Sequence, residues 1–324
     1  MPKNNNLPAT TLPMKLRFNE SPNTDFKNNL ESINIELISA PTMDELRSYL
    51  PQFVTATWQE YGDDQYNGNL TLKEKDDIIH DAFFGKTLPT ALETINLVFR
   101  ISGISLQEVT HIIRYRQGAF SADCSGDKWW TNKDALVPNA VENSSEFYER
   151  YKKIVEEAKQ LYCDMIDSKK ISIMDARYIL PRCLDTFYYM RVNLKDAIYF
   201  IKQRIDKQIQ PETDNIIAYQ MYIAILKQYP IANGLIDIHS PSHFYVKTAR
   251  TGKATNLYYP DADSDIFEWN ENDFIYQNYR NELNGTDENA KNLFDTLLVK
   301  YDEEIKSIEA ANTEHLEKEY NLWL

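Results

Sequence analysis

Ile95, Leu97, Phe99 and Ile101 stand two residues apart within residues 92–101. Side chains alternate faces along a strand, so this spacing predicts a β-strand with one buried face. Residues 33–38 alternate enough to supply a second strand. Helical patterns surround both. Thr42 and Glu45 form a capping-box signature, and the helix they open is expected to stop near Tyr49, before Pro51. Residues 71–84 place Ile78, Ile79, Ala82 and Phe83 on one helical side. Ser105 and Glu108 open a helix that carries His111 toward Arg114. Residues 143–146 open a long helix to about Asp167, with Phe147, Tyr151, Ile154, Ala158, Leu161 and Met165 as its apolar stripe. Ser172 and Asp175 cap a short helix that holds Arg177. Asn193 caps the next, in which Ala197, Phe200, Ile201 and Ile205 pack while Arg204 lies on a neighbouring strip. Pro211 suits the start of a helix that ends at Tyr229-Pro230.

Residues 1–30 carry three consecutive Asn and little periodicity, and are expected to form a flexible arm. Residues 288–323 read as one or two charged helices with a solvated or interacting face. The chain has 324 residues, 43% of them hydrophobic, enough for a substantial core. Its formal net charge of −14 argues against a nucleic-acid surface, which needs a basic stripe. A mononucleotide needs only a few arginines in a pocket and stays possible. The three cysteines, Cys124, Cys163 and Cys183, form no CxxC pair, and no apolar leader or spanning run is present. A reduced cytoplasmic location, with no membrane partner, is the expectation. His80, His239, His243 and His315 are scattered without metal-ligand spacing, so no metal is expected.

The stretch richest in chemistry is Arg114-Tyr115-Arg116 followed by Gln117-Gly118-Ala119-Phe120-Ser121-Ala122-Asp123-Cys124-Ser125-Gly126-Asp127. Planar guanidinium forks suit phosphates and other anions. Small residues let backbone amides approach a ligand. The alternative is a surface loop with two solvated arginines.

A second set of elements comprises Ala176-Arg177-Tyr178-Ile179-Leu180-Pro181, Asn193-Leu194-Lys195, Phe200 through Arg204, and Gln210-Pro211-Glu212. In order and spacing these resemble the flavin-dependent thymidylate synthases, whose pattern is Ala-Arg-x-x-Leu-Pro, Asn-x-Arg, Phe-x-x-x-Arg and Ala-Gln-x-Glu. The Arg114 stretch resembles that family's upstream Arg-His-Arg signature. The resemblance covers roughly residues 33–230. It implies an α/β (α+β) fold, a sheet flanked by long helices, with residues 31–230 as the catalytic domain and 231–324 as a C-terminal extension. It also implies a homotetramer whose flavin sites draw on several subunits.

The implied reaction is reductive methylation of dUMP at carbon 5 of uracil, with methylenetetrahydrofolate as one-carbon donor, FAD as redox cofactor and NADPH as reductant. Such a protein mainly positions its ligands. Residue by residue, the resemblance assigns Arg204 a catalytic role on the pyrimidine and Arg177 to the nucleotide. It assigns His111, Asp123, Cys124, Ser125 and Gly126 to the substrate. Thr94, Asn96, Arg114, Tyr115, Arg116, Asn193, Lys195 and Tyr199 fall to the flavin, with Tyr115 free to stack on it. The bland alternative pairs the helical arginines with Asp206 or Glu212. His111 is equally readable as a core residue, and Cys124 as a thiolate nucleophile activated by Arg114 or Arg116.

The chain departs from the family at several positions. The central His is Tyr115, the His of Leu-Glu-His is Thr94, the Arg of Asn-x-Arg is Lys195, and Asp127-Lys128 replaces Arg-Tyr. Three functions therefore stand: dUMP methylation, modification of another pyrimidine nucleotide or hydroxymethyl transfer, and a catalytically silent binding or assembly protein.

Overall fold

The computed structural model describes residues 24–56, 68–87, 89–126, 129–205, 210–238 and 288–320. Its centre is an antiparallel ladder between β3 (Asn96–Ser105) and β6 (Asp185–Asn193), preceded in the chain by β1 (Phe26–Asn28) and β2 (Asn34–Ser39) and interleaved with β4 (Ala119–Ala122) and β5 (Ala135–Val137). The four-stranded sheet runs β2-β3-β6-β4, while β1 and β5 form a separate parallel pair.

Alternation decides which face is buried. Leu97, Phe99 and Ile101 pair across β6 with Val192, Met190 and Tyr188, and all six are buried. Their neighbours Arg100, Phe187 and Tyr189 lie on the open face, where the Arg100 guanidinium sits 5.5 Å over the Phe187 ring. The strand outlasts its period-two run because of a bulge at Gly103, whose φ of 68° few L side chains adopt. The extra residue returns Ile104 to the buried face. β2 is an edge strand, and Gln220 covers part of its free edge. Its amide accepts from Ile35 N at 3.1 Å and donates to Ile33 O at 3.0 Å, as a neighbouring strand would.

Helices Leu194–Arg204 and Glu212–Gln228 pack on the buried face. The second is buried all round, from Ile216 and Ile217 to Ile225 and Leu226, which marks a central helix. Helix Glu288–Tyr320 joins the same core through Phe294, Leu298, Tyr301 and Ile305. A second core gathers Trp130, Val155, Tyr162, Ile166 and Leu184 around helix Tyr148–Asp167. No helix among the described residues is long and apolar enough to cross a membrane.

Four expectations need correction. Helix Met43–Thr55 opens with the capping box of Thr42 and Glu45, yet it runs through Pro51. An interior proline costs about 3 kcal/mol, but burial of Leu46, Leu50 and Val54 along one face outweighs it. In helix Tyr148–Asp167 the buried face is Val155, Lys159, Tyr162 and Ile166, while Phe147, Ile154 and Leu161 are exposed. The packing partner is Trp130, and Lys159 is accommodated because its amine donates to Thr24 Oγ1 at 2.5 Å and Lys133 O at 2.6 Å. Residues 119–122, read as part of a turn, form β4 on the edge of β6. β1 and the buried Leu30 fall inside the stretch read as a flexible arm; residues 1–23 lie outside the described ones.

A Cβ at Gly103 would stand 1.7 Å from the Ser32 carbonyl oxygen. Gly103→Ala is therefore expected to destabilise by well over about 1 kcal/mol, measured as a lowered urea midpoint with an unchanged slope.

Candidate active site

Arg204 closes helix Leu194–Arg204, which begins directly at the end of β6. Asn193 caps that helix by accepting from Asp196 N at 2.8 Å. The Arg204 guanidinium is buried. Its Nη1 donates to Asp214 Oδ2 at 2.7 Å and to Gln210 Oε1 at 2.9 Å. Asp214 is in the first turn of helix Glu212–Gln228, where the helix dipole favours a carboxylate, and its side chain is 1% exposed. Asn215 Nδ2 donates to the Arg204 carbonyl at 2.6 Å. His111, in the last turn of helix Leu106–Ile112, brings Nδ1 to 3.1 Å from Asp214 Oδ2.

Beneath this cluster lies the Tyr188 hydroxyl, buried and without a hydrogen-bond partner among the described residues. Arg204 Nε and Asp214 Oδ1 share that condition. Burial pushes the Tyr188 phenol well above its ordinary range, and the nearby Asp214 carboxylate pushes it further. Three buried polar atoms around one ion pair thus lack partners among the described residues, which is uncommon in a protein interior.

Sequence reasoning offered Asp206 or Glu212 as the bland partner of Arg204. The partner is Asp214; Asp206 lies outside the described residues, and burial raises the Glu212 carboxyl without an ion pair among them. One signal was available: a carboxylate in the first turn of an otherwise apolar helix needs a cation.

The residues expected to bind the phosphate form a second group. Arg177 donates from Nε to Met174 O at 3.2 Å, and its Nη1 lies against Gly126, at 2.8 Å from where a Cβ would be. Asp123 continues the ladder through its amide to Phe187 O at 3.1 Å, and its carboxylate accepts from Lys133 Nζ at 2.8 Å. The Gly126 amide donates to the exposed Cys124 thiol at 3.4 Å, and Ser125 is half-buried beside it. Asp127 and Lys128 lie outside the described residues.

The third group sits at the other end of β3 and β6, where Asn96 faces Asn193. Thr94 Oγ1 donates to Ala91 O at 2.7 Å, Lys195 pairs with Glu93, and Tyr199 is part-exposed. Tyr115 corrects an expectation. Its ring is buried edge-on against Phe200 at 5.1 Å, and its hydroxyl donates to Asp196 O at 2.7 Å, so it cannot stack on a ligand. Its neighbours Arg114 and Arg116 are exposed, with no partner among the described residues. By their contacts the four arginines fall into three stations, the last of which packs through Tyr115 on the helix that ends at Arg204. A cavity of about 750 Å³ between β2, helix Glu212–Gln228 and the last helix is lined by Ile35, Gln220 and Tyr301, and by none of the arginines.

A sequence model of the family described as thymidylate synthase complementing protein matches residues 44–231, more than half of the chain. The chain belongs to this family. The match begins just after β2 and ends before the C-terminal helix, and it contains all three stations. A flavin-dependent thymidylate synthase of Pyrococcus furiosus is 25% identical over 141 residues, covering 42% of this chain and 57% of that relative. One of Thermococcus onnurineus is 26% identical over 175 residues, covering 52% of this chain and 69% of that relative. The chain thus spans little more than half of the first relative's length and about two thirds of the second's. Among solved structures, a UMP/dUMP methylase of Streptomyces cacaoi bound with 5-Br dUMP shares the fold, with a TM-score of 0.51 at 16% identity, covering 64% of this chain and 94% of that one.

Removing Arg204 leaves Asp214 buried without its cation. Arg204→Met is expected to destabilise by about 3–5 kcal/mol, and Arg204→Met with Asp214→Leu by much less than either change alone. Urea titrations of the four proteins would show this; additive losses would mean the pair is not coupled.

Proposed function

We propose that this member of the family transfers a one-carbon unit to carbon 5 of a pyrimidine mononucleotide. The reaction is reductive methylation of dUMP to dTMP, with methylenetetrahydrofolate, FAD and NADPH. The observation that carries this reading is the Arg204–Asp214–His111 cluster with its unsatisfied polar atoms, set within the family-matched segment. Arg204 is held by Asp214 and Gln210, and its buried Nε has no partner among the described residues, so a small shift on binding would turn it to a pyrimidine carbonyl oxygen. A donor fixed in advance stabilises charge that grows on the ring without reorganising. Arg177, seated on Gly126, sets a guanidinium beside a turn of small residues, which suits a nucleotide phosphate.

The residues at the third station fit a flavin dinucleotide. The exposed forks of Arg114 and Arg116 suit its diphosphate, and Tyr199 offers an exposed ring. Asn193 and Lys195 are engaged by the helix cap and by Glu93, so they act by shaping this end of the sheet. When bound, the flavin supplies the hydride of the reduction.

Three stations on one chain become one site if copies complement each other, as in a homotetramer. The exposed stripe of Phe147, Ile154 and Leu161, spaced seven residues apart on one helix, supports such packing. Soluble folate and nucleotide are the partners in this reading, and the cytoplasm its compartment.

With FAD added to the purified full chain, we expect a flavin difference spectrum on dUMP addition and tritium release from C5-labelled dUMP, above that from UMP or dCMP. Release from UMP or dCMP alone would redirect the substrate, and no flavin binding and no release would leave the silent-protein reading. Arg204→Lys, which keeps the charge pair, should lower kcat by about a hundredfold. Cys124→Ser should retain turnover, because the thiol is exposed and needed only if a covalent adduct forms.

A further inference from the structure

Asp214 does more than neutralise Arg204. Its Oδ2 lies 2.7 Å from Arg204 Nη1 and 3.1 Å from His111 Nδ1, so one carboxylate oxygen holds both side chains. An ionised carboxylate only accepts, so a neutral His111 presents Nδ1–H to it and leaves the lone pair on Nε2. Arg204 Nη1 lies at the long end of hydrogen-bonding distance from that lone pair, at 3.4 Å, and has two shorter acceptors. That nitrogen carries two hydrogens, which go to Asp214 and to Gln210 at 2.9 Å. It approaches both ring nitrogens almost equally, at 3.5 and 3.4 Å, as a contact over the ring does. The His111 side chain is 40% exposed whereas Asp214 is 1% exposed, so the dyad is anchored at one end and open at the other. Among the described residues the charged and titratable groups around the imidazole are Asp214 from helix Glu212–Gln228 and Arg204 from helix Leu194–Arg204. Glu108 is on its own helix, bound to Ser105, and Tyr188 of β6 is within reach of the Arg204–Asp214 pair.

Transfer of a one-carbon unit to carbon 5 requires loss of the hydrogen already there, and that hydrogen leaves as a proton. We propose that His111 is the catalytic base that accepts it and that Asp214 is its positioning residue. In this step the C5–H bond breaks, its electron pair stays in the pyrimidine ring to restore the C5–C6 double bond, and an N–H bond forms at Nε2. The imidazolium produced faces the Asp214 carboxylate. No oxidant or further reactant enters the step. The inference rests on the proposed function and names the residue that handles its proton.

Two measurements test it on the full-length protein. In nitrogen-15 spectra of histidine-labelled, ligand-free protein, the His111 signal is identified by its loss in His111→Gln. We expect Nδ1 to carry the proton and Nε2 to be bare, with Asp214→Asn mixing the tautomers; a proton fixed on Nε2 in the unsubstituted protein overturns the proposal. Tritium release from C5-labelled dUMP with FAD, NADPH and methylenetetrahydrofolate is then followed against pH. Glutamine hydrogen-bonds but takes no proton, so His111→Gln should lower release by about 10²–10⁴-fold and remove the fall in rate on the acid side. Release by His111→Gln at the unsubstituted rate and with the same pH profile overturns the base role while leaving the proposed function standing. If the unsubstituted protein releases no tritium from any pyrimidine nucleotide, both fall together. Thermal melts show whether Asp214→Asn folds; if it does not, His111→Gln still decides.

Discussion

The β3–β6 ladder is the constraint from which the rest follows. Its buried face, made of Leu97, Phe99, Ile101, Tyr188, Met190 and Val192, supplies the surface on which the helices pack. Its ends also deliver the chemistry. β3 passes straight into the helix that bears His111, and β6 passes straight into the helix that ends at Arg204. Eleven helical residues advance roughly 16 Å, about the length of five strand residues. Helix Leu194–Arg204, folded back along β6, therefore returns its last residue to the level of Tyr188, five residues before Asn193. That arithmetic explains why an arginine remote from Tyr188 in sequence lies over its hydroxyl.

Burial sets the character of the site. Arg204 and Asp214 are removed from water together, and such a pair adds little net stability while losing either partner costs much. A pair of this kind specifies geometry. It fixes the entry of helix Glu212–Gln228 against the end of helix Leu194–Arg204, reinforced by Asn215 on the Arg204 carbonyl. The same carboxylate orients an imidazole that reaches solvent. The other arginines are placed differently. Arg114 and Arg116 are exposed, and Arg177 is half-buried, seated on Gly126 and donating to the Met174 carbonyl.

The chain belongs to the thymidylate synthase complementing family, and it sets residues of its own at signature positions. Tyr115, standing where the signature has its histidine, is a core residue that ties the Arg114 stretch to helix Leu194–Arg204 through the Asp196 carbonyl. The two arginines beside it stay outward because the ring between them points in. Outside the matched segment, helix Glu288–Tyr320 docks its apolar side on helix Glu212–Gln228, and its Tyr301 hydroxyl accepts from Gln220 at 2.8 Å, the residue that covers the edge of β2. The last helix and the sheet edge are therefore coupled through one side chain.

Local signals were legible from the residues alone. The caps at Thr42, Ser105 and Asn193 were readable because a cap is a contact between residues two or three apart. The strand around Leu97 was readable because alternation is a local rule, and the arginine-bearing elements because their order and spacing are one-dimensional. What the sequence left open depends on partners far along the chain. Pro51 stays within a helix because three leucine-like contacts on one face hold it. Helix Tyr148–Asp167 turns Lys159 inward and Ile154 outward because Trp130, Thr24 and the Lys133 carbonyl wait on that side. Asp214 became a partner of Arg204 because the packing of two helices sets the distance between their side chains. The sequence by itself determined where the capped helices begin, that the stretch around Leu97 is a strand, and which residues carry charge. Only the tertiary structure decided which charges meet, because an ion pair in the core depends on where its neighbours exclude water.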